Sequence, residues 1–218
     1  MLFRSPVLHQ PPPADPGDGE RFGVDVAFVG TGAPERQPWL AALADCPGLR
    51  RRLYGNSWAG IATPGWERQG AVGGGDYARA IHHARLVLGL LRDANGDLST
   101  DRSYEIGAIG GCGLYRDTWE HRALLPGYPE VGFFSTPAQL REHALAILGD
   151  PALQAQLREL GATALRRPEH TYGERLRQML AWQTGDGGPS PRHDYAGPTP
   201  PGDPPLPPPD ASASEGYL

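Results

Sequence analysis

The sequence is poor in cysteine and lacks any long apolar run. Its two cysteines, Cys46 and Cys112, lie in unrelated segments, so neither a disulfide framework nor a metal site is predicted. A reducing compartment is the simpler expectation for such a chain. No segment approaches the length of a membrane-spanning helix, and the first residues lack the apolar core of a signal peptide. We therefore expect a cytoplasmic protein without a membrane span.

A basic patch is also lacking. The formal net charge is −5 and the isoelectric point is about 5.8. The run Arg50, Arg51 and Arg52 is short, which is typical of a helix end that leads into a strand. Because binding to nucleic acid requires enough basic side chains to neutralise many phosphates, the sequence argues against a nucleic-acid partner.

The two ends of the chain differ in composition from its middle. Residues 1–23 are rich in proline and glycine, which disfavour both helix and central strand, so a linker is predicted. Residues 184–218 contain ten prolines and few large apolar side chains. Such a tail cannot bury enough surface to offset its ordering entropy, and we predict that it is disordered. Residues 24–183 are predicted to form one domain.

Strand-like and helix-like segments alternate along this domain. Apolar runs predict strands at residues 24–29, 52–54, 85–91, 112–115 and 131–134, while residues 60–75 are rich in turn formers. Helices are predicted at residues 35–44 and 77–83 and after residue 100. The alternation predicts an α/β fold, a single Rossmann-like domain whose parallel sheet is flanked by helices.

Three further helices are predicted to close the domain. Thr136 and Asp150 are each followed by proline, which is the pattern of an N-cap with proline at the first helical position. Thr171 is the predicted N-cap of the last helix. Its apolar spacing predicts that three side chains face the core: Leu176, Met179 and Leu180.

The segment DLSTDRSYEIGAIGG, residues 97–111, carries the strongest functional signal. Asp97 and Glu105 are separated by seven residues, and good N-cap residue types lie between them. Arg102 then lies in the first turn of a helix, where unpaired N–H groups favour anions. Glu105, one turn further, can accept hydrogen bonds from two hydroxyls, as from a ribose. Gly110 and Gly111 allow close backbone approach, so the segment predicts a nucleotide-diphosphate site. The alternative is a helix with ordinary surface charges and a glycine C-cap.

Other nucleotide motifs are incomplete. Gly30, Thr31 and Gly32 follow the first predicted strand, but the third glycine of a dinucleotide fingerprint is replaced by Glu35. No phosphate-transferring P-loop motif is present in the sequence. A dinucleotide oxidoreductase fragment is therefore the weaker interpretation.

Five pieces of the chain, in this order, resemble one known family. They are DVAFVGTGAPER (residues 25–36), LYGNSW (53–58), DYARAIHHARLVLGLL (76–91), DRSYEIGAIGG (101–111) and HTYGERLRQML (170–180). Together they look like the carboxyl-terminal half of the spore-maturation CgeB-like glycosyltransferases. These belong to the group 1 glycosyltransferases, which have the GT-B architecture. The resemblance extends over roughly residues 20 to 183.

The resemblance implies a domain that binds a nucleotide sugar, with no metal and no other cofactor. Glu105 would contact the donor ribose, and Arg102 would face the diphosphate; both are the expected catalytic residues. Gly30, Thr31 and Gly32 look like the first glycine loop of the family, and Arg36 matches an arginine that recurs after it. Asp97 stands where the group pattern has Glu, which shortens the reach of the carboxylate by one methylene.

The chain matches one half of the two-domain GT-B architecture, and the acceptor-side half is missing from the match. We therefore expect either a separate chain that supplies the acceptor domain, or self-association through an exposed apolar face. A second hypothesis is a non-catalytic half-domain that retains the fold and at most residual nucleotide binding.

Overall fold

The computed structural model describes residues 9–184, and it contains six strands. These are β1 (Val24–Val29), β2 (Arg51–Tyr54), β3 (Glu67–Gln69), β4 (Ala84–Gly89), β5 (Gly113–Arg116) and β6 (Phe133–Phe134). They form one sheet in the order β3-β2-β1-β4-β5-β6, and each neighbouring pair is parallel. This order, in which the chain returns past β1 to add β4, is that of a Rossmann-like domain.

Eight α-helices occur in the described part of the chain. They are α1 (Asp18–Phe22), α2 (Gln37–Ala41), α3 (Gly74–His82), α4 (Asp101–Ile109), α5 (Trp119–Leu124), α6 (Pro137–Gly149), α7 (Pro151–Leu165) and α8 (Tyr172–Gln183). The predicted α/β fold is thus confirmed. Between residues 9 and 184, no helix is long and apolar enough to cross a membrane.

The central strands are almost wholly apolar because both faces of the sheet are covered. In β1 the side chains of Val26 and Phe28 are buried, and so is that of Ala27 between them. β4 has the same character, with Leu86, Val87 and Leu88 all buried. A run that is apolar at consecutive positions, rather than at alternate ones, is typical of parallel strands.

The predicted caps lie where the sequence placed them. Thr136 Oγ1 accepts a hydrogen bond from the backbone N–H of Gln139, and Asp150 Oδ1 accepts from those of Ala152 and Leu153. In each case proline follows the cap and begins the helix. These caps satisfy backbone donors that the helix itself leaves unpaired.

The helices α4 and α7 cross closely where Gly107 faces Gly161. A Cβ atom added at Gly107 would lie 2.7 Å from the backbone oxygen of Gly161 and 2.6 Å from Leu165 Cδ1. Arginines from α7 and just beyond it then bind carbonyl oxygens at the end of α4: Arg158 donates to Gly110 (2.6 Å), and Arg166 donates to Ala108 (2.9 Å). Positive charge at a helix carboxyl terminus is favourable, so α7 fixes α4 at this end.

Several predicted boundaries were wrong. The linker predicted at residues 1–23 contains α1, which is anchored by the buried side chain of Phe22. The helix predicted at residues 35–44 is a 3₁₀ turn, Pro34–Arg36, followed by the short α2. Residues 60–75 contain β3, an exposed edge strand, and α5 was not predicted. Residues 1–8 of the linker and residues 185–218 of the predicted tail lie outside the described residues.

The orientation predicted for the last helix was also wrong. Leu176 and Leu180 are 59% and 60% exposed, and Met179 is 46% exposed. The apolar spacing of α8 is real, but within residues 9–184 nothing covers that face. The helical spacing of apolar residues predicts that a helix has an apolar face, but it does not predict what packs against that face.

Candidate functional site

The loops after β1 and β4 meet at one edge of the sheet. These two strands are neighbours, yet their connections leave in opposite directions along the sheet. Gly30, Thr31 and Gly32 follow β1, and the segment after β4 leads to Thr100, the N-cap of α4. In open parallel sheets such a point forms a crevice at the carboxyl ends of the strands. The structure therefore brings the first glycine loop and the start of α4 together.

Arg102, Tyr77 and Glu105 form a hydrogen-bonded cluster at this edge. Arg102 Nε donates to the phenol oxygen of Tyr77 over 2.9 Å, and the Tyr77 hydroxyl donates to Glu105 Oε2. Arg102 Nε and Glu105 Oε2 are themselves 3.6 Å apart. The predicted pair of arginine and carboxylate thus does lie side by side, one helical turn apart on α4, with a phenol from α3 between them.

Burial fixes the protonation of this phenol. It raises the pKa of Tyr77 far above the ordinary range, and the adjacent Glu105 raises it further although Arg102 opposes this. The hydroxyl is therefore neutral, and it accepts from the guanidinium while donating to the carboxylate. Tyr77 was not among the predicted site residues. The available signal was its place in the first turn of a helix that begins within a run of three glycines, at the same sheet edge.

The glycine loop lies against the guanidinium of Arg102. A Cβ atom added at Gly30 would lie 3.1 Å from Arg102 Nη1 and 2.8 Å from Cζ of Phe28. At Gly32 an added Cβ would lie 2.2 Å from the backbone oxygen of Ser57, in the loop after β2. Any side chain at these two positions would displace its neighbours. The absence of side chains thus keeps the backbone close to Arg102.

Arg36 is buried behind the loop and ties two loops together. Its Nε donates to the Leu91 oxygen over 3.2 Å, and its Nη1 donates to the Thr31 oxygen. Burial lowers the pKa of Arg36, and the positive charge of Arg102 lowers it further. Two guanidinium groups therefore share this edge. Through its two carbonyl partners, Arg36 holds the loops after β1 and β4 together.

The Glu105 carboxylate is also approached by the N-terminal segment, by which we mean residues 9–17 ahead of α1. His9 Nε2 lies 3.3 Å from Glu105 Oε1, and the imidazole ring is 5.9 Å from the ring of Tyr77. The side chains of His9 and Glu105 are only 12% and 10% exposed. This contact was not anticipated, because it joins a residue outside the predicted domain to one inside it.

The remaining predicted residues are not brought into the cluster. Asp97 accepts a hydrogen bond from Asn95 Nδ2 over 3.2 Å, within the loop before α4. Gly110, with φ +89°, is the C-cap of α4, and Gly111 packs against Ile81. Both glycines lie at the far end of α4 from Arg102, and Gly110 is about 12 Å away along the helix axis. Their geometry is that of a helix terminus.

The described residues contain no group of three or more His, Cys, Asp or Glu side chains placed to hold a metal ion. The tryptophans near this edge pack inward: Trp66 Nε1 donates to the Leu40 oxygen over 3.0 Å, and Trp58 contacts Phe28 edge-to-face. They anchor loops to the core.

The fold is shared with solved glycosyltransferase structures. T4 phage β-glucosyltransferase in complex with its UDP-glucose substrate matches 85% of this chain with a TM-score of 0.52 and 13% identity, over 50% of its own chain. A TarM variant from S. aureus in complex with UDP gives 0.57 and 10% identity, over 82% of this chain and 37% of that one. An O-GlcNAc transferase mutant from Thermobaculum terrenum gives 0.52 and 18%, over 81% and 39%. The chain thus spans half or less of the length of these structures.

No curated protein sequence matches this chain significantly. At the level of sequence families, residues 36–181 match the model described as "Glycosyl transferase-like". This match includes Arg36, Tyr77, Arg102 and Glu105 and extends over more than half of the chain. The chain belongs to the glycosyl transferase-like family.

Proposed function

We propose that residues 24–183 are the donor-binding domain of a CgeB-like glycosyltransferase, which transfers a sugar from a nucleoside diphosphate sugar to an acceptor. The observation that carries the proposal is the Arg102–Tyr77–Glu105 cluster beside Gly30 at the edge where β1 and β4 end. The Arg102 guanidinium suits the diphosphate of a nucleoside diphosphate, and the Glu105 carboxylate suits the hydroxyl groups of its ribose.

The diphosphate would lie between the glycine loop and the start of α4. Arg102 offers its guanidinium there, and the first N–H groups of α4 add partial positive charge. Arg36, buried behind the loop, contributes charge without leaving its two carbonyl partners. A bidentate arginine contact with phosphate is among the stronger charge-assisted hydrogen bonds.

Glu105 would accept the ribose hydroxyls. Tyr77 holds Oε2 of the carboxylate, so a ligand would take Oε1, the oxygen that His9 Nε2 approaches to 3.3 Å. During transfer, negative charge builds on the departing diphosphate. Arg102 and the α4 terminus would stabilise that charge electrostatically, with no metal assigned to the site.

The acceptor would be bound by residues outside this domain. The fold matches about half of the glucosyltransferase chain, and alignment of donor with acceptor requires both sides of a cleft. The exposed apolar face of α8 supports a contact with such an acceptor-side half.

A non-catalytic half-domain that retains nucleotide binding is the second candidate. The position of Asp97 favours it, since this carboxylate is engaged with Asn95 in the loop before α4 rather than with the cluster. Detection of sugar transfer once an acceptor-side half is supplied would eliminate this candidate.

Calorimetry with UDP tests the proposal. Replacing Glu105 by alanine removes the ribose acceptor, and loss of a charge-assisted hydrogen bond of about 1.5–3 kcal/mol weakens binding roughly ten- to a hundredfold. Glu159→Ala, an exposed carboxylate on α7, is the matched control and should leave the affinity unchanged. Equal affinities of the wild-type chain and Glu105→Ala would remove Glu105 from the site.

A further inference from the structure

His9 occupies the side of Glu105 that a ligand would need. Both oxygens of this carboxylate are engaged: Oε2 by the Tyr77 hydroxyl, and Oε1 by His9 Nε2 at 3.3 Å. The His9 side chain is 12% exposed, so it is inserted into the edge rather than lying over it. Its ring also contacts the ring of Tyr77, with centroids 5.9 Å apart and planes tilted by 53°.

We infer that the N-terminal segment closes the nucleotide site of the free chain, with His9 in the position of the ribose hydroxyls. This inference rests on the proposed function. An imidazole N–H can donate a hydrogen bond to a carboxylate as a ribose hydroxyl does. The imidazole ring of His9 also lies beside the phenol ring of Tyr77. A nucleotide must therefore displace His9 before Glu105 can bind it.

The segment is anchored close to the site, so His9 can leave and return. Nine residues after it, Asp18 begins α1, and its buried carboxylate accepts a 3.0 Å hydrogen bond from Arg79 Nε of α3. His83 Nε2 lies 3.5 Å from the same carboxylate oxygen. The same helix α3 carries Tyr77. Displacement of His9 thus leaves the anchor in place, and a short tether keeps its effective concentration high.

Competition of this kind raises the apparent dissociation constant for the nucleotide, which equals the intrinsic constant divided by the fraction of chains from which His9 is displaced. If His9 is inserted in about 70–90% of molecules, the apparent dissociation constant is raised about three- to tenfold. Removal of the imidazole should restore the intrinsic affinity.

The test is UDP binding to the full chain by calorimetry. His9→Ala is expected to bind UDP about three- to tenfold more tightly than the wild-type chain. The matched control is Arg21→Ala, which removes a charge from the same segment, where Arg21 forms an exposed ion pair with Asp76; it should bind as the wild-type chain does. Equal or weaker binding by His9→Ala overturns the inference, because His9 would then be neutral or a ligand contact.

A second measurement observes the contact without relying on affinity. In the free chain, a nuclear Overhauser effect should connect the ring protons of His9 and Tyr77, and saturation with UDP should abolish it. Absence of that signal in the free chain, or its persistence at saturation, overturns the inference even if UDP binds. If the signal is present but neither the wild-type chain nor His9→Ala binds UDP, it is the proposed function that fails, and closure of a nucleotide site fails with it.

Discussion

Arg102 reaches Tyr77 through a 2.9 Å hydrogen bond from its Nε to the phenol oxygen, and the guanidinium also lies 5.3 Å from the centre of the phenol ring. The Nε edge of the guanidinium is thereby directed at α3. Its Nη1 lies on the side of Gly30. The phenol thus orients the arginine and bridges it to Glu105, its ion-pair partner one turn away on α4.

Tyr77→Phe tests this orientation. Without the hydroxyl, Arg102 and Glu105 can tighten their 3.6 Å ion pair into a direct hydrogen bond with each other. We expect UDP binding to weaken about tenfold, because a hydrogen bond to a charged group contributes about 1.5 kcal/mol. Calorimetry measures the affinity, and Tyr172→Phe, a half-exposed phenol on α8, is the control. An unchanged affinity in Tyr77→Phe would show that the hydroxyl does not orient the pair.

Arg36→Lys tests whether the loops after β1 and β4 must be tied together. A lysine cannot reproduce the fork that donates to both Thr31 and Leu91. We expect a loss of about 1–3 kcal/mol in the free energy of unfolding, measured by urea titration, together with weaker UDP binding.

The matched control for Arg36→Lys lies at the sheet edge far from the site. Arg68 donates to Thr63 Oγ1 over 2.8 Å and to the Ile61 oxygen, so it too joins parts of a loop. Arg68→Lys should also reduce stability, yet UDP affinity should stay at the wild-type value. The same loss of affinity in both variants would mean that stability alone explains the effect.

Much of the fold follows from local signals in the sequence. Apolar runs identify β1 and β4 because a strand buried on both faces has no polar alternation. Threonine or aspartate followed by proline marks the starts of α6 and α7, since the cap is a contact between near neighbours. By contrast, the exposed edge strand β3, with the sequence ERQ, has no apolar residue and forms only because β2 pairs with it.

The candidate site was predictable only in part for the same reason. Arg102 and Glu105 are one helical turn apart, so their proximity follows from helix geometry. Tyr77 and His9 reach Glu105 from 28 and 96 residues away in sequence, through tertiary packing. Gly110 and Gly111 show the opposite case, where a motif near the site in sequence lies at the other end of the helix.

Gly107→Ala tests the packing that holds α4. The added methyl group would lie 2.7 Å from the Gly161 oxygen, which is backbone and cannot move without shifting α7. We expect the free energy of unfolding to fall by about 1–3 kcal/mol in urea titration. Gly161→Ala is the control, because its added Cβ would lie 3.5 Å from Gly107 Cα, in ordinary contact. Its better helix propensity should make that variant neutral or slightly stabilising. Equal stability of the two variants would contradict the close crossing.

His121 makes the stability of the domain depend on pH. Its Nδ1 donates to the Arg116 oxygen over 2.6 Å, and its Nε2 lies 2.7 Å from Ser103 Oγ, which in turn accepts from the Thr100 N–H at the start of α4. The ring is therefore neutral, with one nitrogen donating and one accepting. Burial lowers the pKa of His121 from 6.5 to about 4.

Because the pKa of His121 is lower in the folded chain, the unfolded chain binds the proton more readily between these two values. The contribution of neutral His121 to the free energy of unfolding is complete above pH 6.5 and is lost as the pH falls toward 4. We expect the free energy of unfolding to fall by roughly 2 kcal/mol between pH 7 and pH 5. Urea titrations at both pH values measure this change. In His121→Gln the polar side chain does not titrate, so that variant should be less stable at pH 7 but should lose less on acidification. An equal loss of unfolding free energy in both chains would mean that groups other than His121 cause the acid sensitivity.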